Sequence, residues 1–273
     1  MPNNGCLGVV IGGCGFSDYL SREIGTRVDC YRLYSWERHV PKRDFIDAFD
    51  LDECIKQFKE HRVTCVMNAG TVNLDLLRSR LSEESGLPDG RRTAIQAQLG
   101  SPYEFYRLYR QKLWDADIAI ASVGDVFPEF RPRPGPQGKE VADFGLAVTL
   151  DDIKERAIDC CSREDHRHVS QSVVFDLDGQ DCVKIGIEKE NTDALLDRLP
   201  SKTNPRTTRI LVKILPRGLP KKVDDPTIGP TTIIKSAAAG IKVIVLDLVS
   251  GVIIYPDETV ALADEHGIAI IGL

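Results

Sequence analysis

The sequence lacks the long apolar runs and the basic charge that membrane spans and nucleic-acid binding require. No stretch of its 273 residues reaches the roughly 18 apolar residues of a membrane-spanning helix. The most apolar stretch, IKVIVLDLVSGVIIY at 241–255, is interrupted by Lys242 and Asp247. The formal net charge of −6 argues against a general nucleic-acid binder, which needs a basic face to meet phosphates.

The start of the sequence also lacks the marks of a signal peptide. No basic segment precedes its short apolar run, and no cleavage pattern follows, so a buried strand is expected there. We therefore expect a cytoplasmic protein with at most peripheral membrane contact and no nucleic-acid partner.

Cysteine and histidine are present without the spacing of metal or disulfide sites. The eight cysteines contain no CxxC pair and have no histidine at ligand spacing. Several lie in strand-like runs, where a free thiol behaves as a small hydrophobic group. The five histidines are scattered, and no Ser-His-Asp or Cys-His order is recognisable. The sequence therefore predicts neither a zinc site nor a disulfide framework, and metal ligands stay unidentified.

The first half of the chain alternates strand and helix patterns, which is typical of a parallel sheet covered on both faces. Strands are predicted at 7–13, 27–34, 63–70 and 117–123. Helices are predicted at 17–24 and 51–62 and over the segments VNLDLLRSRL and PYEFYRLYRQKL.

The second half is also mixed in pattern. Residues 128–145 hold four prolines and three glycines and form the best linker candidate. Beyond them come a helix at about 149–161, a hairpin with an Asp-Gly turn at 178–179, and further strands and helices. The sequence thus predicts an α/β fold of two domains. A Rossmann-like parallel sheet is expected over 1–130, and an α/β domain with a mixed sheet over 146–273.

A glycine-rich turn, IGGCGFSD at 11–18, connects the first strand to the first helix. Gly12, Gly13 and Gly15 would let the backbone come close to a phosphate at the helix N-terminus. The third glycine of G-x-G-x-x-G is missing, and no acidic residue ends the second strand, so a dehydrogenase fingerprint is poorly met. Three interpretations of this turn stay open: a site for a phosphate-bearing or polar ligand, a site for a dinucleotide, and a turn needed only for packing.

A second turn, NAGTVN at 68–73, closes a strand at the same expected edge of the sheet. Asn68 and Thr71 offer hydrogen bonds to a ligand, and Gly70 permits a tight turn. A plain strand-to-helix connection with Thr71 as the cap fits equally well.

Two acidic segments lie in the second domain. Asp224 and Asp225 in VDDPTIGPTT (223–232) precede a helix by several residues, too far for ordinary capping. A loop with two prolines is rigid, as a positioned acid, base or ion ligand requires. In ENTDALLDRL (190–199), Thr192 is expected to cap a helix that carries Asp193 in its first turn.

These segments together resemble the LpxI-type UDP-2,3-diacylglucosamine hydrolases. VDDPTIGPTT is similar to the family's V-D-L-P-T-I-G-P-x-T, ENTDA to its E-G-T-D-A, and LGVVIGGCGFS to its glycine-rich start. The resemblance implies cleavage of the pyrophosphate of UDP-2,3-diacylglucosamine, giving UMP and 2,3-diacylglucosamine 1-phosphate (lipid X), in lipid A biosynthesis. It also implies Mg²⁺ or another divalent cation, a substrate held between two domains, and a homodimer.

The resemblance assigns roles to particular residues. Asp224 matches the aspartate of V-D-L-P and is the implied catalytic residue, whereas Asp225 stands where the family has leucine. The implied substrate-binding residues lie in or beside the matching motifs: Gly12, Gly13, Gly15, Asn68, Gly70, Thr71, Glu190, Thr192, Asp193, Thr227 and Gly229.

The chain also departs from the family pattern. Leu219 and Pro220 replace a glutamine and an aspartate, and Ile187 replaces a glutamate. Glu188 is one residue further on, and one step along a strand reverses the direction of the side chain. Three hypotheses follow: a metal-dependent pyrophosphatase, a divergent non-catalytic homologue that binds nucleotide-sugar or lipid, and, ranked last, an NAD(P)-dependent oxidoreductase.

Overall fold

A computed structural model describes residues 5–12, 16–36, 42–70, 79, 93, 95–97, 100–139, 149–163, 169–179, 181–201, 204 and 206–273. Its backbone divides into two compact units. Unit 1 comprises Met1–Val126 with Pro220–Asp224, and unit 2 comprises Phe127–Leu219 with Asp225–Leu273. The predicted domain limits, 1–130 and 146–273, stay a prediction.

Unit 1 contains a parallel five-stranded sheet with the order β3-β2-β1-β4-β5. Its strands are β1 (Cys6–Ile11), β2 (Tyr31–Ser35), β3 (Asp44–Phe45), β4 (Val63–Ala69) and β5 (Ala119–Ala121). The chain order reverses between β1 and β4, and ligands bind beyond the carboxyl ends of strands at such a switch point.

Within the described part of unit 1, four helices have defined bounds: α1 (Phe16–Glu23), α2 (Leu51–Glu60), α3 (Pro102–Asp115) and α4 (Val123–Val126). In α2, Leu51, Ile55 and Phe58 are buried on one face, and the side chain of Asp50 accepts a hydrogen bond from the Glu53 amide at 3.0 Å. This is the cap that a helix start requires.

Two predicted strands of unit 1 are shorter in the structure. The strand expected at 27–34 begins at Tyr31, because the amides of Arg27 and Val28 bond to the Ile24 carbonyl and continue a helical turn. The strand expected at 117–123 spans only Ala119–Ala121, since α4 begins at Val123. Of the predicted helix at 72–81, only Ser79 is among the described residues, and it is helical.

Unit 2 contains a mixed five-stranded sheet with the order β13-β11-β9-β7-β8. The strands of unit 2 are β6 (Gly135–Pro136), β7 (Ser172–Asp178), β8 (Asp181–Ile187), β9 (Thr208–Lys213), β10 (Thr227–Ile228), β11 (Ile241–Leu246), β12 (Val252–Ile253) and β13 (Ala269–Gly272). Strands β9, β11 and β13 are parallel, and β7 is antiparallel to both of its neighbours. The predicted two-domain α/β fold, with one parallel and one mixed sheet, is confirmed.

Helices cover both faces of this second sheet. They are α5 (Leu150–Arg163), α6 (Thr192–Asp197), α7 (Pro230–Ala238) and α8 (Pro256–Glu265). Val212 of β9 packs in the core beneath α5, whereas Leu211 packs in the core beneath α6 and α7. Because side chains alternate along a strand, Lys213 continues the face of Leu211, toward α6 and α7.

The predicted linker, 128–145, is wrong for the residues of it that the structure describes. Residues 128–139 belong to unit 2, where the Gln137 amide donates to the Ile270 carbonyl at 2.9 Å. The Gln137 side-chain amide also donates to the carbonyls of Arg133 and Gly135, at 2.6 and 2.7 Å. The side chain of Gln137 thus pairs carbonyls of its own proline-rich segment, and its main-chain amide bonds the segment to β13. Residues 140–145 lie outside the described residues.

Across the described part of the chain, every helix is too short or too polar to traverse a lipid bilayer.

Candidate functional site

The predicted ligand site of unit 1 lies at the switch point between β1 and β4. The Gly12 amide donates to the Ala69 carbonyl at 2.8 Å, and Val10 is in register with Asn68. The structure thus brings Gly12, Asn68 and Gly70 together at the carboxyl edge of the sheet. Gly70 has a φ of 93°, in the left-handed region that favours glycine. Gly13, Gly15 and Thr71 lie outside the described residues.

A buried tyrosine lies beside the side chain of Asn68. The Tyr109 hydroxyl approaches Asn68 Oδ1 at 3.5 Å. Burial raises the pKa of Tyr109 well above its ordinary value, so its hydroxyl remains a proton donor. Asn68 Nδ2 is buried and has no hydrogen-bond partner among the described residues. A buried donor of this kind is typical of a position that receives a water or a ligand atom.

The loop that carries Asp224 is fixed by two turns and two apolar anchors. Gly218 and Lys222 have φ values of 89° and 69°, so the chain turns sharply at both. Leu219 and Val223 are buried. Leu219, one of the departures from the family pattern, therefore has a packing role that a glutamine would not fill.

An ion pair attaches the segment before Asp224 to the rest of unit 1. Lys222 Nζ lies 2.9 Å from Asp125 Oδ2, and the Ser122 amide donates to the same carboxylate at 2.9 Å. Burial acts to raise the pKa of Asp125, but hydrogen bonds from Lys222 and Ser122 leave it below its ordinary value. Two residues after Lys222, Asp224 is 7% exposed. Most of the surface of this residue is therefore removed from water.

Unit 2 holds the rest of the motif. The Val252 amide donates to the Pro226 carbonyl at 2.9 Å, and β10 pairs with β12. The Thr227 hydroxyl donates to the Asp225 carbonyl at 2.9 Å, which is a hydrogen bond within the loop. Gly229 precedes α7 with an extended φ of −158°. A Cβ there would lie 2.5 Å from Ile254 Cγ1, which gives Gly229 a packing reason.

The ENTDA segment forms the start of α6. Asn191 is the cap, because its Oδ1 accepts from the Ala194 amide at 2.8 Å. The prediction that Thr192 caps this helix is therefore wrong: the extended residue lies one position earlier, and Thr192 is buried inside the first turn. Glu190 is exposed and pairs with Arg198 at 2.8 Å, while Asp193 is half-buried.

A buried polar cluster surrounds Thr192, and sequence reasoning missed two of its members. Ser172 Oγ and Thr192 Oγ1 lie 2.9 Å apart, and Lys213 Nζ donates to Thr192 Oγ1. All three side chains are buried. The only sequence signal was the single lysine that ends an apolar strand in LVKIL.

Glu188 lies beside this cluster at the start of β7. Its amide donates to the Ser172 carbonyl at 2.9 Å, and its carboxylate accepts from the Gln171 amide at 3.3 Å. Glu188 is buried, and β8 ends before it at Ile187. The strand-alternation argument therefore does not apply to this residue, which turns inward.

The described residues contain no preformed metal cage. Among them, no group of three or more histidine, cysteine, aspartate or glutamate side chains could hold a metal ion. Magnesium commonly binds through one or two carboxylates together with water and substrate phosphates. The acidic side chains of the described residues offer at most that partial form of site.

Residues 148–271 match the family model of the LpxI C-terminal domain. The matched range includes α5 to α8, the Thr192 cluster and the loop of Asp224. A comparison with curated proteins gives no match. The match supports the resemblance to the LpxI family found in the sequence.

Proposed function

We propose that this chain is a UDP-2,3-diacylglucosamine pyrophosphatase of lipid A biosynthesis. It would release UMP and 2,3-diacylglucosamine 1-phosphate, with Mg²⁺ or another divalent cation. The observation that carries the proposal is the match of residues 148–271 to the LpxI C-terminal domain, which contains the VDDPTIGPTT motif. The buried position of Asp224 in an anchored loop is consistent with it.

The proposed chemistry is attack of water on the α-phosphorus. A bond forms between the water oxygen and that phosphorus, and the bond to the bridging oxygen breaks. UMP leaves with the new oxygen, and the bridging oxygen stays with the sugar phosphate. Asp224 accepts the water proton as a general base, a role for which a restrained carboxylate is suited. A divalent cation, when bound, offsets charge on the pyrophosphate.

UMP release from UDP-2,3-diacylglucosamine in detergent micelles with MgCl₂ tests the proposal. We expect turnover by the purified protein, a loss of about 10²-fold or more in Asp224→Ala, and loss on chelation of the divalent ion. Asp225→Leu is the matched control, because it introduces the family's own residue and should retain activity. UMP release no greater than that of Asp224→Ala would show that the chain does not catalyse this reaction.

A binding role without catalysis is the second candidate. It is favoured by Leu219, whose buried apolar side chain stands where the family has a polar one, and by Pro220, which has no amide proton. Mass spectrometry of the extract from denatured protein would identify a retained lipid or nucleotide. A retained ligand in a protein without turnover supports this candidate, whereas normal turnover with an empty extract rejects it. Light scattering would test the implied homodimer.

A further inference from the structure

Lys213 is a buried lysine at the carboxyl end of the central strand of unit 2. It is the last residue of β9 and is only 4% exposed. Lysine is almost never fully buried unless its charge is paired, because removing an ammonium group from water is costly.

Among the described residues, the ammonium of Lys213 has a hydroxyl partner and no carboxylate partner. Its Nζ donates to Thr192 Oγ1, and no ion pair joins it to an acidic side chain within the described ranges. An ammonium group has three donors, so two remain for atoms other than those described. By contrast, Lys154 in the same unit reaches Asp247 at 3.0 Å and the Leu273 carbonyl at 2.6 Å.

The neighbouring hydroxyls add a further donor. Because Lys213 can only donate, Thr192 Oγ1 accepts from it, and either hydroxyl can be the donor in the 2.9 Å contact between Thr192 Oγ1 and Ser172 Oγ. In both directions, one hydroxyl proton of the pair remains to donate onward. Lys213, Thr192 and Ser172 offer N–H and O–H donors around a positive charge, which is a composition that binds an anion. The carboxylate of the neighbouring Glu188 accepts from the Gln171 amide at 3.3 Å.

The cluster also lies where open α/β sheets bind ligands. Lys213 ends β9 beside the end of the parallel strand β11, and Ser172 is opposite it in register on β7. Ligands lie beyond the carboxyl ends of parallel strands in such sheets. We propose that Lys213, oriented by Thr192, is the cationic residue of a phosphate-binding site that takes the pyrophosphate of a nucleotide-linked substrate. This site deepens the proposed function and rests on it for the identity of the substrate.

Calorimetric titration with UDP and with inorganic pyrophosphate tests this site without turnover. We expect Lys213→Met to bind both about 10-fold to 100-fold more weakly, because a hydrogen bond to a charged group is lost. Lys213→Arg, which keeps the charge, should retain part of the affinity. In the absence of ligand, Lys213→Met should melt no lower than the wild type, since an apolar side chain removes an isolated buried charge.

Unchanged affinity in Lys213→Met would overturn the proposal. If that variant does not fold, Thr192→Val decides instead: weaker binding supports the site, and wild-type binding overturns it. Failure of both variants to fold would show a structural role and also overturn it. Weaker binding of inorganic pyrophosphate alone, with UDP unaffected, would show a free-anion site and overturn the assignment to a nucleotide.

The outcome is distinguishable from failure of the proposed function. A protein that binds UDP through Lys213 yet releases no UMP keeps this site and loses the activity. A protein in which Lys213→Met releases UMP with wild-type KM and kcat keeps the activity and loses this site.

Discussion

Replacing Gly229 with alanine separates a packing role from a ligand-binding role at this motif residue. The added Cβ would lie 2.5 Å from Ile254 Cγ1 and 2.7 Å from its Cδ1. Favourable carbon contacts are about 3.5–4.0 Å, so one of the groups must move. The φ of −158° is open to any residue, and the expected penalty therefore comes from packing alone.

The backbone of Ile254 restricts how the strain is relieved. Its amide donates to the Ile228 carbonyl at 2.9 Å, which holds that main chain in place. The side chain is half-buried, so part of its surface packs against neighbouring groups. We therefore expect Gly229→Ala to lower the free energy of unfolding by about 1–3 kcal/mol, the usual cost of overpacking.

Urea denaturation of four proteins measures this effect: wild type, Gly229→Ala, Ile254→Ala and the double variant. The Ile254→Ala change removes both clashing atoms, so the double variant should lose less stability than the sum of the single variants. UMP release by the double variant should then return toward that of Ile254→Ala. A fully stable Gly229→Ala protein without turnover would refute the packing explanation and assign the glycine to the substrate.

Two further substitutions test structural ion pairs. Asp125→Asn should cost about 0.5–2 kcal/mol at neutral pH, since it weakens the pairing with Lys222 and a helix cap. Because the pKa of Asp125 is lowered on folding, its contribution is present above the unfolded value and is lost as pH falls through the folded one. The urea midpoints of the wild type and Asp125→Asn should thus converge in acid. A difference between these midpoints that does not change with pH would contradict the role of the Asp125 charge. Arg209→Met should cost about 3–5 kcal/mol by urea denaturation, because Asp176, bound at 2.8 and 2.9 Å, loses its buried partner. A cost below about 1 kcal/mol would contradict this account of the pair.

Much of the fold could be predicted from local pattern. The strands expected at 7–13 and 63–70 match Cys6–Ile11 and Val63–Ala69 within two residues, because buried parallel strands are continuous apolar runs. The Asp-Gly turn at 178–179 closes the predicted hairpin, with Gly179 at a φ of 58°. Each of these features depends on a few consecutive residues.

Two other features could not be predicted from pattern. Residues 128–139 have the composition of a linker, yet the Gln137 amide bonds to the distant Ile270 carbonyl in unit 2. The strand expected at 117–123 ends early because Ser122 and Asp125 bond to each other and begin a short helix, a local bond that apolar periodicity does not reveal. Amino-acid composition alone does not specify these hydrogen-bond partners.

By itself, the sequence determined the α/β class and the parallel and mixed sheets, and it contained the motifs that resemble those of the LpxI family. Periodicity and turn residues encode the strands and helices locally, so no tertiary contact was needed to find them. Only the tertiary structure decided that Lys213 is buried against Thr192, with Ser172 beside it. The register of β7 and β9 places Ser172 opposite Lys213, and no pattern within either segment specifies that pairing.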